Sequence, residues 1–453
     1  MTPSQQDFWF LPLGGCGEIG MNLNLFGHAG HWLMVDCGVT FEKFSGHRSG
    51  NRVEMPDPIF ISNRQQDLAG IIATHAHEDH IGALPHLWEQ FRCPIYTTPF
   101  TRLLIQRKFS EFKIDAPIIC VHPGESRQIG PFEVEWQPIT HSTPETNALM
   151  ISCPAGRVVH TADWKIDPAP IVGAAFDRHR FEFLGQSGID AVICDSTNAP
   201  QTGASVSESS LFEPLLRAVR ESSGRVVVGC FASNIARLQT LGNVAKVSQR
   251  YLGLLGRSLH RMVACARSAG YLEENFNTVT NPDLGYLLPE EVLAITTGSQ
   301  GEQGAALNRL AMDQHPDLSL GAGDHVIFSA KTIPGNESGV ARLIEAFTDR
   351  GIRVTHAETA GEVLHASGHP CAEELRQMYS WLRPRLAIPV HGEPYHMDCN
   401  ARLAEESGVS VCLRGSNGDL FDIVTGRLRP GFAPVGRLWF DEAGAELRRV
   451  ETL

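Results

Sequence analysis

Thr74-His75-Ala76-His77-Glu78-Asp79-His80 follows directly on the apolar run Leu68-Ala69-Gly70-Ile71-Ile72-Ala73. The run is short and apolar and reads as a buried strand, and Ile81-Gly82-Ala83-Leu84-Pro85 opens a helix. Ligand-type side chains therefore sit at the C-terminal end of a strand, where layered α/β proteins commonly place their sites. Histidine nitrogens with a carboxylate oxygen form the donor set that zinc prefers. In an extended turn His75 and His77 point the same way and can share one cation. Asp79 and His80 sit one step further along and can reach a second. A histidine-rich surface loop is the bland alternative, but it does not account for four ligand types in this order after a buried strand.

A two-metal site needs more ligands than one turn supplies. His141 follows the strand-like Phe132-Glu133-Val134-Glu135-Trp136-Gln137-Pro138-Ile139-Thr140, and Asp163 follows Arg157-Val158-Val159-His160-Thr161-Ala162. His391 follows Leu386-Ala387-Ile388-Pro389-Val390. Each alone reads more readily as a cap or turn residue. Together they complete a set of five histidines and two aspartates. Asp163 can bridge two cations, because the two oxygens of an ionised carboxylate are equivalent.

With these residues in place the chain resembles the ribonuclease J family of β-CASP nucleases, on a metallo-β-lactamase fold. The matching segments run over almost the whole length. They include Leu13-Gly14-Gly15-Cys16-Gly17-Glu18-Ile19-Gly20-Met21-Asn22, Val35-Asp36-Cys37-Gly38, His141-Ser142-Thr143-Pro144-Glu145 and His160-Thr161-Ala162-Asp163-Trp164-Lys165. Asp195-Ser196-Thr197-Asn198, Phe231-Ala232-Ser233-Asn234 and Thr297-Gly298-Ser299-Gln300-Gly301-Glu302 follow. Ile333-Pro334-Gly335-Asn336-Glu337, His365-Ala366-Ser367-Gly368-His369 and Pro389-Val390-His391-Gly392-Glu393 complete the set.

The resemblance implies that His75, His77, His141 and Asp163 hold one divalent metal and that Asp79, His80, Asp163 and His391 hold the other. Zinc is the expected ion, with manganese as the alternative. It implies catalytic roles for Asp79, Asp195 and His369, with Asp195 orienting a metal-ligand histidine. A turn or cap aspartate is the competing reading of Asp195. It also implies a pocket for a terminal 5′-monophosphate, built from His365, Ser367, Gly368 and Ser329 with Lys331 nearby. Small residues let backbone N–H groups approach an anion; an ordinary Ser-Gly turn is the alternative, and Lys331 reads equally as a surface residue. Phe231 reads as core, with base stacking as the alternative. The family usually carries a further small C-terminal domain, so the chain is expected to be a short form. A homodimer and RNA-degradation partners are candidate assemblies.

Composition fits this reading. The chain has 453 residues, enough for two or three domains, with 42% hydrophobic and 20% charged content. No apolar run reaches membrane-spanning length, and the start Met1-Thr2-Pro3-Ser4-Gln5-Gln6-Asp7 lacks the pattern of a secretory signal. Eleven dispersed cysteines without a C-x-x-C pair imply reduced thiols and a cytoplasmic protein. Cys16, Cys37 and Cys194 read as buried small residues. A net charge of −13 is unusual for a nucleic-acid enzyme. It argues against a sequence-blind coat protein and for a narrow channel with local basic lining, where two divalent cations supply charge at the scissile phosphate.

Six of the seven ligands fall before residue 165 and the seventh is His391. An α/β domain is therefore inserted between them. The expected architecture is a metallo-β-lactamase αββα sandwich in two parts, 1–206 and 354–453, with a β-CASP domain at 207–353. Ser205-Val206-Ser207-Glu208 reads as a helix start. Runs at 225–230, 251–255, 292–296 and 325–329 read as strands, and helices are expected from Asn234 and over 339–350, making a parallel sheet. Pro334-Gly335 marks a turn. A hinge is expected near Ser205 and near Val354, letting the insert close over the site and leave a channel for single strands.

The expected activity is 5′-to-3′ exonucleolytic cleavage of single-stranded RNA with some internal cutting. A DNA nuclease of the same architecture, a small-molecule metallo-hydrolase and a non-catalytic RNA-binding subunit are the competing readings. The inserted domain speaks against the second, and the complete ligand set against the third.

Overall fold

Alternation along the strands decides the layers. In Trp9–Gly14, Trp9, Leu11 and Leu13 join one buried cluster and Phe10 another; in His31–Val35, Trp32 and Met34 go one way, Leu33 and Val35 the other. Successive side chains on a strand point to opposite faces, so these strands are buried on both sides. On a second sheet Leu149 and Ile151 share the cluster of Phe10, while Ala148 and Met150 face a third cluster. Two sheets buried on both faces must pack on each other and carry helices outside. The computed structural model shows that arrangement, and it describes residues 1–43, 51–273, 276–333, 335–441 and 446–450.

The eight-stranded sheet runs from Arg427–Arg429 at one edge through Trp9–Gly14 and Leu68–Ala73 to Ile118–Cys120 at the other. The seven-stranded sheet runs from Val411–Cys412 through Leu386–Val390, Ala191–Asp195 and Gly156–His160 to Ser126–Ile129. Phe10, Phe26, Val35, Trp136, Ile151, Ile193 and Ile388 fill the space between them. Helices Arg178–Gln186, Ala372–Leu382 and Pro394–Glu406 cover the seven-stranded sheet through Phe181, Tyr379 and Leu403. Helix Pro99–Phe112 covers the other sheet through Phe100, Ile105 and Phe109. A small four-stranded sheet pairs Asn51–Pro56 with Arg437–Asp441.

The inserted domain is a five-stranded, wholly parallel sheet in the order Tyr251–Leu255, Val292–Thr296, Val226–Gly229, His325–Phe328, Arg353–His356. The expected helices are Ile235–Val247, capped by the Asn234 side chain, and Glu337–Asp349. The expected return at Val354 falls inside the last strand, so this sheet extends to His356. That strand lies at the sheet edge and is largely polar, so no apolar run announced it. Pro334 lies outside the described residues. One face of the insert shares a continuous apolar cluster with helix Pro99–Phe112.

At the crossing near Ser205, where a hinge is expected, the chain is tied by side-chain hydrogen bonds. The buried Glu374 carboxylate accepts from Ser205 N and Oγ at 2.7 Å each, from Ile166 N at 2.7 Å and from Cys371 N at 2.9 Å. Four hydrogen bonds to one buried carboxylate fix this crossing; charge-assisted bonds of this kind are the strong ones. Among the described residues no helix is long and apolar enough to cross a membrane.

Candidate active site

The site assembles because its bearers are neighbouring strand ends. Gly156–His160, Ala191–Asp195 and Leu386–Val390 are adjacent and parallel, which brings Asp163, Asp195 and His391 to one edge. Leu68–Ala73 delivers His75 and His77 from the opposing sheet. The helix there begins at Glu78, earlier than the expected Ile81, so Asp79 and His80 lie in its first turn. Acidic residues suit a first turn, where the helix dipole is positive. Gly38 packs against this turn: a Cβ there would lie 1.7 Å from the Asp79 carbonyl oxygen. Three residues at the site adopt left-handed backbone without being glycine, namely Asp36 (φ 65°), Ala162 (φ 50°) and His391 (φ 52°). Each costs on the order of 1 kcal/mol or more, a strain that the surrounding packing must hold.

Outer hydrogen bonds fix which ring nitrogen of each histidine faces inward. The His141 Nδ1–H donates to the Gly368 carbonyl at 2.6 Å. The His80 Nδ1–H donates to Asp36 Oδ2 at 2.7 Å. Thr197 Oγ1 donates to Asp195 Oδ1 at 2.7 Å and so accepts from the His391 Nδ1–H at 2.9 Å. In all three rings Nε2 is the nitrogen that faces the centre, and it offers a lone pair there when the ring is neutral. There His141 Nε2 meets His77 Nδ1 at 3.1 Å, and His391 Nε2 meets Asp79 Oδ2 at 3.1 Å. Asp163 Oδ2 stands 3.8 Å from His75 Nε2, 3.8 Å from His141 Nε2 and 3.3 Å from His80 Nε2, and its Oδ1 is 3.7 Å from His391 Nε2. With these rings neutral, lone pairs and carboxylate oxygens would face one another here, an arrangement that bound cations stabilise.

Among the described residues two donor groups are His75, His77, His141 and Asp163, and Asp79, His80, Asp163 and His391; a third joins Asp195, His369 and His391, each group with its donor atoms within 4.8 Å of one another. Asp163 is common to the first two. His75 supplies a direct test of fit: its Nε2 is fully buried and has no hydrogen-bond partner, a costly state for a polar atom unless a metal takes the lone pair. Burial, with the neighbouring rings adding to it, holds His75 and His141 well below the ordinary imidazole range, and burial lowers His77 to about 4. These rings are therefore neutral and able to ligate. Burial opposes charge at Asp163, yet His391, His80 and His369 hold it well below the usual carboxylate range. The carboxylates around His391 outweigh its burial and raise it to about 9. This half of the site thus favours positive charge. The donor set suits divalent metal ions.

His369 and Asp195 lie against the second group. Asp195 Oδ2 accepts from His369 Nδ1 at 2.7 Å, while its Oδ1 stays 3.7 Å from His391 Nδ1. Asp195, expected to orient a ligand histidine, bonds His369 directly and reaches His391 through Thr197. The His369 ring stacks on His391 at 5.6 Å and 20°. Burial alone would lower His369, but Asp195 and Asp163 raise it.

The four residues expected to line a phosphate pocket divide. The Ser329 hydroxyl is buried, accepts from Arg237 Nη1 at 2.6 Å and donates to the Leu364 carbonyl at 2.6 Å, so it offers an anion no free proton. Gly368 serves His141 through its carbonyl, and a Cβ there would lie 2.5 Å from His141 Cε1. Ser367 Oγ accepts from Asn198 Nδ2 at 2.8 Å and from His369 N at 3.3 Å, which leaves its own proton to donate. His365 Nδ1 is buried without a partner, and burial together with Arg237 lowers this ring to about 3. Lys331 is exposed and Phe231 half-buried. Cys16, Cys37 and Cys194 are buried, and burial pushes the Cys194 thiol up to about 12.

Sequence reasoning gave no role to Asp36, Thr197, Asn198 or Arg237. Asp36 and Thr197 stood in quoted segments, Val35-Asp36-Cys37-Gly38 and Asp195-Ser196-Thr197-Asn198, but nothing local says that their partners are His80 and His391.

The chain is similar to known proteins over most of its length. Residues 22–182 match the metallo-beta-lactamase superfamily, 223–347 the ribonuclease J beta-CASP domain, and 360–413 the Zn-dependent metallo-hydrolase RNA specificity domain. A ribonuclease J of Sinorhizobium meliloti is 40% identical over 449 residues, covering 96% of this chain and 78% of that one. A ribonuclease J of Mycobacterium tuberculosis is 38% identical over 441 residues, covering 95% and 77%. A crystal structure of a protein of unknown function from Enterococcus faecalis V583 shares the fold, with a TM-score of 0.63 at 15% identity over 92% of this chain and 100% of that one. On these grounds the chain belongs to the ribonuclease J family of metal-dependent nucleases, with a metallo-β-lactamase fold and an inserted β-CASP domain.

Proposed function

We propose that this chain is a ribonuclease that degrades single-stranded RNA from a 5′-monophosphate end, with some internal cleavage, at a centre of two divalent metals. The observation that carries the reading is Asp163, whose carboxylate belongs to both converging ligand groups. Zinc fits the histidine-rich donor set, with manganese as the alternative. His75, His77, His141 and Asp163 would hold one ion, and Asp79, His80, Asp163 and His391 the other. Such a pair supplies an activated water and neutralises charge on the phosphoryl oxygens of an in-line displacement. The bond between phosphorus and the 3′-oxygen breaks, and the downstream product keeps a 5′-phosphate.

The remaining residues act on protons and position. His369 is held at Nδ1 by Asp195, so its Nε2 edge is the one available to the departing 3′-oxygen. Its raised affinity for a proton suits it to deliver one. Ser367, with its free hydroxyl proton, and His365, whose Nδ1 has no partner, are the pocket residues left to meet a terminal phosphate. The inserted domain would bound the path of the strand. RNA is favoured over DNA by the match of residues 360–413 to an RNA specificity domain. The test is digestion of matched 5′-labelled RNA and DNA, with metal content measured on the same preparation. Degradation of RNA alone, with two metals per chain, is expected. Equal degradation of both would support the DNA-nuclease reading, and cleavage of neither would refute the proposal.

A further inference from the structure

The segment from Ala357 to Pro370 carries Gly368 and His369 but contains no helix or strand. It has no ladder of backbone hydrogen bonds to set its position, so side-chain bonds and the packing of the buried Leu364 and Ala366 must do so. The catalytic domain ties it at the metal-centre end: Asn198 to Ser367 and to the His369 carbonyl, His141 to the Gly368 carbonyl, and Asp195 to His369. The insert ties its earlier part through Thr332 N to Glu358 and Arg217 to Glu362, and the stretch next to Ser367 through Ser329, whose Oγ donates to the Leu364 carbonyl at 2.6 Å.

Behind Ser329 stands Arg237, which is fully buried. Its Nη1 donates to Ser329 O at 2.7 Å and to Ser329 Oγ at 2.6 Å. Its Nε and Nη2 donate to the two carboxylate oxygens of the buried Glu208. Glu208 in turn donates its backbone N–H to Asp167 Oδ2 at 3.1 Å, four residues beyond the shared ligand Asp163. One guanidinium thus joins both flanks of the metal centre: the loop after Asp163 through Glu208, and the stretch before Gly368 through Ser329. A buried ion pair of this kind is a poor source of stability, since apolar residues of the same volume often do as well. Its fork geometry, with fixed directions for several donors, suits it to set positions.

We propose that Arg237 is a positioning residue of the inserted domain that, through Ser329, fixes the stretch 364–369 and so places Gly368 and His369 at the metal centre. The insert is then part of the catalytic scaffold as well as a wall of the RNA path. The inference rests on the ribonuclease reading above for the roles of His141 and His369.

The test uses the full chain loaded with metal. Ser329→Ala removes one hydroxyl and leaves the Arg237–Glu208 pair intact; Ser329→Thr restores a hydroxyl; Arg237→Lys keeps the charge but loses the fork. Steady-state kinetics are measured on a 5′-monophosphate RNA and on bis(p-nitrophenyl) phosphate, a phosphodiester too small to need the RNA path. Thermal unfolding and metal content are read on the same samples. Because displacements approaching 1 Å cost on the order of 100-fold, kcat per metal-loaded chain should fall roughly 10-fold in Ser329→Ala and roughly 100-fold in Arg237→Lys, on both substrates. KM for RNA should stay within about twofold of wild type, and Ser329→Thr should recover most of the rate. If Arg237→Lys does not fold, the serine pair decides. Unchanged kcat in Ser329→Ala overturns the proposal. So does a loss confined to KM for RNA or to the preference for a 5′-monophosphate, which would make Ser329 a substrate contact. A wild-type chain that cleaves no RNA would instead remove the ribonuclease reading itself.

Discussion

Gly368→Ala adds one methyl group where the segment that carries His369 meets His141, a candidate metal ligand. An alanine Cβ there would lie 2.5 Å from His141 Cε1, 2.6 Å from His141 Nδ1 and 3.0 Å from Ser142 Oγ. Gly368 is not among the residues with left-handed backbone, so the backbone itself accepts alanine. The whole effect therefore falls on the imidazole. Carbon atoms need about 3.5 Å between them, so the ring or the segment must retreat by roughly 1 Å. The ring is already fixed by the Gly368 carbonyl at 2.6 Å, so the retreat breaks that bond or drags Nε2 away from the centre. Overpacking of this size costs about 1–3 kcal/mol of stability, which a chain of this length tolerates. Misplacement of a ligand by about 1 Å should cost on the order of 100-fold in rate. Single-turnover cleavage of saturating RNA, with metal content and thermal unfolding on the same sample, measures all three. The expected variant is folded, depleted in one metal and slow on 5′-mono- and 5′-triphosphate RNA alike. Wild-type rate with full metal content would refute the reasoning. A defect limited to 5′-monophosphate RNA would return Gly368 to the phosphate pocket.

Asp36→Asn weakens the acceptor of the His80 Nδ1–H, now bonded at 2.7 Å. Partners of this kind are worth roughly 10–100-fold in metal affinity or activity, so metal titration should show weaker binding in a folded protein, and unchanged affinity would count against the tautomer argument. Ser367→Ala should narrow the preference for 5′-monophosphate over 5′-triphosphate RNA more than it slows internal cleavage; equal wild-type rates on the two RNAs would remove the pocket. A 5′-monophosphate RNA with a strong internal hairpin should accumulate an intermediate that ends at the stem, because a duplex is too wide for a path bounded by the insert. Smooth digestion through the stem without a helicase would show an open site.

Much of the fold was legible because its strands are buried on both faces and so appear as apolar runs. Tyr251–Leu255, Val292–Thr296 and Leu386–Val390 have the same bounds in sequence and structure. Seven candidate ligand positions could be picked out because each follows such a run, and the structure brings their side chains into two adjoining groups. Arg353–His356 was not legible, since an edge strand shows one face to solvent and carries arginine, threonine and histidine. The partners of Asp36, Thr197 and Arg237 were not either: they are set by how distant strand ends line up. Small residues misled in the phosphate pocket. Ser329 and Gly368 look free in sequence, yet one hydroxyl is used twice and the other carbonyl holds a ligand ring. The ties at Ser205 were hidden for the same reason, because their acceptor, Glu374, lies on a helix far along the chain.

The shared carboxylate of Asp163 can be tested directly by counting metal ions per folded chain in wild type, His77→Ala and Asp163→Ala, and by measuring RNA cleavage on the same samples. Because Asp163 belongs to both ligand groups and His77 to one, wild type should hold two ions and cut RNA. His77→Ala should hold one and Asp163→Ala neither, both folded and inactive. RNA cleavage by Asp163→Ala at near wild-type rate, or a fully active wild type holding a single ion, would contradict a centre built on two metals.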